Sequence, residues 1–265
     1  MSGLLITYGR SHTPRGGLRT NPLGKRELKT SARLLHSRCQ EAYSLIRTTP
    51  PTEQILSTQA EKVAQALASK IGTCETNLLT YILLTSMQIH HTPTLHHQKR
   101  VAELCRRISD ELGTNNGKTT LLVAAAVIHD TGKLLIPTNL LDQRQDLSPS
   151  EIRIIKEGHL LFGFHLLRLF GYSEEVTELV GHHHAMNGNN PEGLINRPIS
   201  TEGQILIAAD HFDALTNGRG YRDGNFSTKK VAIEEISRLP IEREIIDALE
   251  SLAVPSASAG RTRTR

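Results

Sequence analysis

The stretch Ala124-Ala125-Ala126-Val127-Ile128-His129-Asp130-Thr131-Gly132-Lys133 sets an imidazole and a carboxylate side by side at the end of an apolar run. Small and apolar residues in succession read as a buried helix. Thr119 and Thr120 are candidate N-caps, and Gly132 is a candidate breaker just past the polar pair. Burying a histidine and an aspartate on such a helix is costly without partners. A divalent metal is one such partner. Successive helical residues point about 100° apart, so His129 and Asp130 can face two ions or bridge them. The other solution is a core histidine satisfied by its neighbour, and the dipeptide alone leaves both open.

The 265 residues suit one catalytic-sized domain with a helical extension, long enough to bury a real core. Trp is absent and aromatics make up 4%, so that core is expected to be aliphatic. Cys39, Cys74 and Cys105 are scattered. This fits a reducing cytoplasm and argues against a thiolate zinc site or a disulfide framework. No secretory h-region or bilayer-length apolar run is present, so a soluble, cytoplasmic protein without a membrane span is expected. The net charge of +4 is uneven. Residues 1–40 carry eight basic side chains against Glu27 alone, a net +7, and Arg261, Arg263 and Arg265 add +3. Subtracting both ends from +4 leaves −6 for residues 41–260. No nucleic-acid motif accompanies the basic ends, so a solvated arm is expected and no specific nucleic-acid binding.

Residues 1–30 are rich in Gly, Pro, Thr and Arg and are expected to be a flexible arm with a short strand at Leu4 to Tyr8. A helical pattern begins near Ser31 and fades at Thr48-Thr49-Pro50-Pro51. Thr52 then caps a helix through Ile71, stopped by Gly72, and another spans about Asn77 to His91. His97 begins the next, ending near Gly113. Ser148-Pro149-Ser150-Glu151 is a capping box, opening a helix whose apolar face carries Ile152, Ile155, His159, Phe162, Leu166 and Leu169. Ser173 caps a helix ending in His182-His183-His184, and Thr201-Glu202 opens one that carries Asp210 and Asp213. Two further helices start near Ser227 and Pro240. The fold class is therefore all-α. The expected division is a 1–30 arm, a 31–77 helical segment, a 78–253 catalytic domain and a basic 254–265 tail.

His97, His129, Asp130, His159, His182, His183 and Asp210 recur at the ends or on the apolar faces of separate helices. Seven such positions point to a common destination, a two-metal centre. Nitrogen and oxygen donors without thiolate suit two divalent transition-metal ions, iron or manganese first, then zinc or nickel.

The motifs His97-x-x-Arg100-Val101, His129-Asp130-x-Gly132-Lys133, His159-x-x-x-Gly163, His182-His183, Ala209-Asp210-x-Phe212-Asp213-Ala214-Leu215-Thr216 and Arg219-x-Tyr221-Arg222 stand in an order that closely resembles the HD-GYP family over about residues 78–240. The resemblance implies an HD-domain helical bundle around a dinuclear metal centre and hydrolysis of a cyclic dinucleotide, cyclic di-GMP first. It implies that His97, His129, Asp130, His159, His182, His183 and Asp210 are metal ligands, with Asp130 bridging. Lys133, Arg219 and Arg222 would hold the substrate phosphate, and protein partners in cyclic di-GMP signalling would be in keeping. Two cations acidify a bridging water, and the hydroxide can attack phosphorus in line. Lys133 and the arginines would neutralise phosphoryl charge.

The chain also departs from that pattern. The name-giving loop here reads His182-His183-His184-Ala185-Met186-Asn187-Gly188-Asn189-Asn190-Pro191, one residue short. His184 replaces a Glu, Asn187 an Asp, and the Gly-Tyr pair is lost. Pro93 stands where trinuclear members carry Glu, and Gln204 replaces a usual Arg. The expectation is a dinuclear enzyme, slow or altered in nucleotide preference. A hydrolase of another nucleotide and a non-catalytic binding module remain the alternatives, and turnover by metal-loaded protein separates them.

Overall fold

The computed structural model describes residues 24–47, 52–71, 75–142, 147–187, 198–217 and 226–253. Outside them lie the Leu4–Tyr8 strand, the Gly72 stop, the loop from Gly188 to Pro191, Arg219, Arg222 and the basic tail. Every regular element among the described residues is helical: α1 (Lys25–Ile46), α2 (Glu53–Ile71), α3 (Thr76–His90), α4 (Thr92–Glu111), α5 (Asn116–Ile128), α6 (Thr138–Asp142), α7 (Pro149–Arg153), α8 (His159–Leu169), α9 (Glu174–His182), α10 (Thr201–Thr216), α11 (Lys229–Ile236) and α12 (Arg243–Ala253). None is long and apolar enough to cross a membrane.

Local capping explains most boundaries. The Ser148 hydroxyl accepts from the Glu151 amide while the Glu151 carboxylate takes the Ser148 N–H, a reciprocal box. Ser173 and Ser200 cap α9 and α10, and Thr52 accepts from the Ile55 amide at the start of α2. Other boundaries differ from expectation. α1 begins at Lys25, so residues 25–30 are helix, not arm; the Glu27 carboxylate accepts the Gly24 N–H and fixes the first turn. α5 begins at Asn116, where Asn115 accepts from the Gly117 amide, so Thr119 and Thr120 lie within the helix. α4 begins at Thr92 rather than at His97, which puts His97 in its second turn, buried.

The expected helix from Pro149 to Leu169 is interrupted by a π turn, Ile154–Gly158. One wider turn shifts the phase of everything before it. Ile154 is therefore fully buried while Ile152 is exposed, as is Leu169 at the far end. The shift leaves His159 and Phe162 facing inward, as expected.

One core joins α1 and α2 to the helices that follow, through Leu35, Ile46, Leu56 and Leu67 beside Ile82, Ile108, Leu122 and Phe162. Phe162 is the one aromatic among the largest fully buried side chains, so the core is aliphatic as composition required. α4 packs on α5 and α10, α5 on α9, and α8 on α9 and the 3-10 turn Thr131–Leu135. The C-terminal ends of α5 and α9 are thereby brought against the flanks of α4, α8 and α10.

The last packing is unusually close. A Cβ on Gly132 would lie 1.7 Å from the His159 carbonyl oxygen, and Gly132 has no positive φ. Gly132 is therefore not the helix breaker expected; it is glycine because backbone meets backbone there. Gly113, by contrast, ends α4 at φ 64° with open space around it. We expect Gly113→Ala to cost about 1 kcal/mol and Gly132→Ala roughly 3 kcal/mol or more, since the blocking atom is main chain. Urea unfolding of both variants checks this, and equal losses would contradict the close-packing account.

Candidate metal centre

Two helices end on histidines that cap themselves. His129 is the C-cap residue of α5, and its Nδ1 lies 2.8 Å from the Ala126 carbonyl oxygen. His183 is the C-cap residue of α9, and its Nδ1 lies 2.5 Å from the Val180 carbonyl oxygen. A carbonyl only accepts, so Nδ1 carries the hydrogen in both rings. That fixes the tautomer and leaves Nε2 with a free lone pair, as a metal-ligating imidazole needs. Neither Nε2 makes a hydrogen bond, although both are buried. Burial, with His129 nearby, pushes His183 down to about 3, so its ring is neutral at physiological pH.

Both Nε2 atoms are aimed at Asp130. This residue follows α5, leaves helical dihedrals at φ −91° and ψ 12°, and is fully buried. Its two oxygens face different pairs of imidazoles. Oδ2 lies 3.5 Å from His129 Nε2 and 3.8 Å from His97 Nε2. Oδ1 lies 3.8 Å from His183 Nε2 and 3.9 Å from His159 Nε2. These spacings exceed hydrogen bonds. They lie near the roughly 3–3.5 Å between two ligands of one ion with bonds of about 2.0–2.2 Å.

Asp210, on α10, joins the Oδ2 side: its Oδ1 is 2.8 Å from His97 Nε2 and 3.7 Å from His129 Nε2. On the other side His184 completes a trio, with ligand atoms of His159, His183 and His184 all within 4.8 Å of one another. His97, His129 and Asp130 form a second such trio. The donor set thus fits two divalent ions, one held by imidazoles and carboxylates, the other by imidazoles and Asp130. Of the residues expected as ligands, the structure gathers His97, His129, Asp130, His159, His183 and Asp210. His182 is buried on the last turn of α9 but belongs to neither trio. His184, which the sequence presented only as a replaced Glu, takes a place beside His159 instead. The run of three histidines was the available signal; which of them meet His159 depends on where α9 ends.

The buried Lys133 donates from Nζ to Asp130 Oδ2, supplying positive charge beside the carboxylate. Asp213, one turn after Asp210, supports the centre from behind. Its Oδ2 is 2.7 Å from His97 Nδ1, and Arg100 clamps the same carboxylate through Nε at 2.7 Å and Nη2 at 2.8 Å. Burial alone would raise Asp213, but hydrogen bonds from His97 and Arg100 outweigh it and hold the carboxyl below its ordinary range. The ionised Asp213 orients His97 from behind. Gln204 pairs with Glu242, its side chain taking the Glu242 N–H at 2.7 Å and donating to Oε1 at 3.0 Å, which joins α10 to the approach of α12.

The helical bundle thus delivers imidazoles and carboxylates from α4, α5, α8, α9 and α10 onto one buried aspartate. Residues 84–239 match the HD domain family, and the chain belongs to it. Over 185 residues it is 30% identical to 3'3'-cGAMP-specific phosphodiesterase 1 of Vibrio cholerae, covering 68% of this chain and 42% of that protein. Over 136 residues it is 34% identical to a cyclic di-GMP phosphodiesterase of Thermotoga maritima, covering 49% and 36%. The chain thus spans less than half the length of these relatives. Among solved structures, Bd1817, an HDG"Y"P protein from Bdellovibrio bacteriovorus, superposes with a TM-score of 0.48 at 20% identity, covering 88% of this chain and 74% of that one.

Three substitutions read out the centre. His184→Ala is expected to lower the affinity of the imidazole-rich side for its ion roughly 10- to 100-fold, while His182→Ala leaves both ions in place. Asp213→Asn is expected to weaken the His97 side by a similar factor. Titration of metal-free protein with Mn(II), followed by calorimetry, measures each; a larger loss in His182→Ala than in His184→Ala would reverse the assignment.

Proposed function

We propose that this chain is a metal-dependent phosphodiesterase that opens a cyclic dinucleotide, cyclic di-GMP first. The division of Asp130's two oxygens between two pairs of imidazoles carries this reading, because a carboxylate so placed could serve two cations at once. His97, His129, Asp130 and Asp210 would hold one ion, and His159, His183, His184 and Asp130 the other. Iron or manganese suits these donors best, with zinc or nickel next. When bound, such ions supply Lewis-acid charge and make water acidic enough to ionise at neutral pH.

The chain's own residues do the rest. Asp130 holds the two halves of the centre in register. The self-capping bonds of His129 and His183 fix the tautomer and direction of both rings. Lys133, a buried ammonium beside Asp130, is placed to neutralise charge on a phosphoryl oxygen as it develops. Arg219 and Arg222 would hold the other phosphate oxygens. Names of relatives support the substrate class: cyclic di-GMP for one, 3'3'-cGAMP for another. The second is kept as the alternative substrate because the V. cholerae relative aligns over 185 residues. The loss of the Gly-Tyr pair favours a changed preference or a lower rate than in relatives with the full loop. A role as a binding module is the remaining reading.

Manganese- or iron-loaded protein incubated with cyclic di-GMP, 3'3'-cGAMP and cyclic di-AMP, with products resolved by chromatography, is expected to linearise at least one. Lys133→Ala is expected to keep two ions per chain and lose about 100-fold or more in rate. Protein with two ions bound that cleaves none of the three would overturn the catalytic reading in favour of a binding module.

A further inference from the structure

The turn that carries Lys133 is held from outside the metal centre. His90, at the end of α3, sets its Nε2 3.0 Å from the Lys133 carbonyl oxygen and 2.8 Å from that of Ile136. Both are acceptors, so Nε2 carries the hydrogen. Burial, reinforced by neighbouring His36 and opposed by these two carbonyls, lowers His90 to about 4 and keeps it neutral. Its Nδ1 is then an acceptor, and His36 Nε2 on α1, 3.0 Å away, donates to it. Gln40, one turn further along the same face of α1, donates its amide to the Leu134 carbonyl oxygen at 2.8 Å. Ser86 of α3 donates to the Ala32 carbonyl oxygen of α1 at 3.1 Å, tying those two helices together.

Three carbonyls of one short segment, at 133, 134 and 136, are thus received by side chains of α1 and α3. On its other side the segment packs against α8. Its 3-10 backbone bonds run from Lys133 N to the Asp130 oxygen and from Ile136 N to the Lys133 oxygen. Such turns are short and poorly bonded. Generic satisfaction of buried carbonyls could occur anywhere; here side chains of two helices converge on the one segment that begins at Asp130. His36 and Gln40 lie before the residues that match the HD domain family, at 84–239.

We propose that His90, braced by His36, acts with Gln40 as a positioning unit that fixes the Asp130–Lys133 turn from the N-terminal helix, so that α1 belongs to the working site. This rests on the catalytic reading of Asp130 and Lys133. His90→Phe fills the space without a donor, His90→Gln returns an amide donor, and Gln40→Met is close in shape without one. Each is loaded with Co(II), and three quantities are measured: bound cobalt, its visible absorption bands, and kcat on the cyclic dinucleotide that the wild-type protein cleaves best. The expected result is two cobalt ions in every variant, shifted bands and about tenfold lower kcat in His90→Phe, recovery to within about threefold in His90→Gln, and a loss of about threefold in Gln40→Met. A merely structural role would instead scale kcat with melting temperature and give no rescue by Gln. Wild-type bands and kcat in both His90→Phe and Gln40→Met would overturn the proposal, as would a loss of rate no greater than the loss of cobalt. Should His90→Phe fail to fold, Gln40→Met decides alone at its threefold threshold. If wild-type protein holds two ions but cleaves nothing, the catalytic reading fails by itself; shifted cobalt bands in the variants would still establish the positioning.

Discussion

A fully buried carboxylate surrounded by four imidazoles is the constraint on which this structure depends. Asp130 has no exposure, and an uncompensated charge there would cost several kcal/mol. The protein answers by ending helices on it. α5 and α9 each stop where a histidine turns back onto its own helix, and each stop leaves a lone pair directed at Asp130. The flanks of α4, α8 and α10 bring the remaining donors. Moving any of these helices by a turn would strand either an imidazole or the carboxylate, so the packing of the bundle and the chemistry of the centre are one requirement.

That requirement reaches outward in layers. Gly132 lets the turn after Asp130 lie against the α8 backbone at His159, which no side chain would allow. The Arg100–Asp213 pair, partly open to solvent on the arginine side, holds His97 by its other nitrogen. Both supports act on ligand direction more than on affinity of any single contact, and small errors of direction are costly in a site of this kind.

Much of this was legible in the sequence, for physical reasons. Caps at Thr52, Ser148 and Ser173 are local signals that act within three residues, so the helices they open stood out. Polar residues inside apolar runs marked His129, Asp130, His159 and Asp210, because burial without a partner is expensive wherever the helix lies. The rest depended on distant contacts. Asp213 is read only with His97, 116 positions away. The π turn at Ile154–Gly158 changes phase where the apolar spacing runs on unbroken through Gly158, so Ile152 looked buried. Which two of three successive histidines gather beside His159 is a matter of one residue in the end of α9, below what periodicity resolves. The start of α1 was hidden because Lys25 and Arg26 share the basic composition of the preceding arm.

The claim at the centre is that Asp130 joins two ions. Electron paramagnetic resonance of Mn(II)-loaded protein at two equivalents tests it most directly, because bridged manganese ions couple magnetically and separate ones do not. The account predicts a coupled multiline spectrum in the wild-type protein and its collapse in Asp130→Asn. Isolated six-line signals from the wild-type protein at full loading would contradict it.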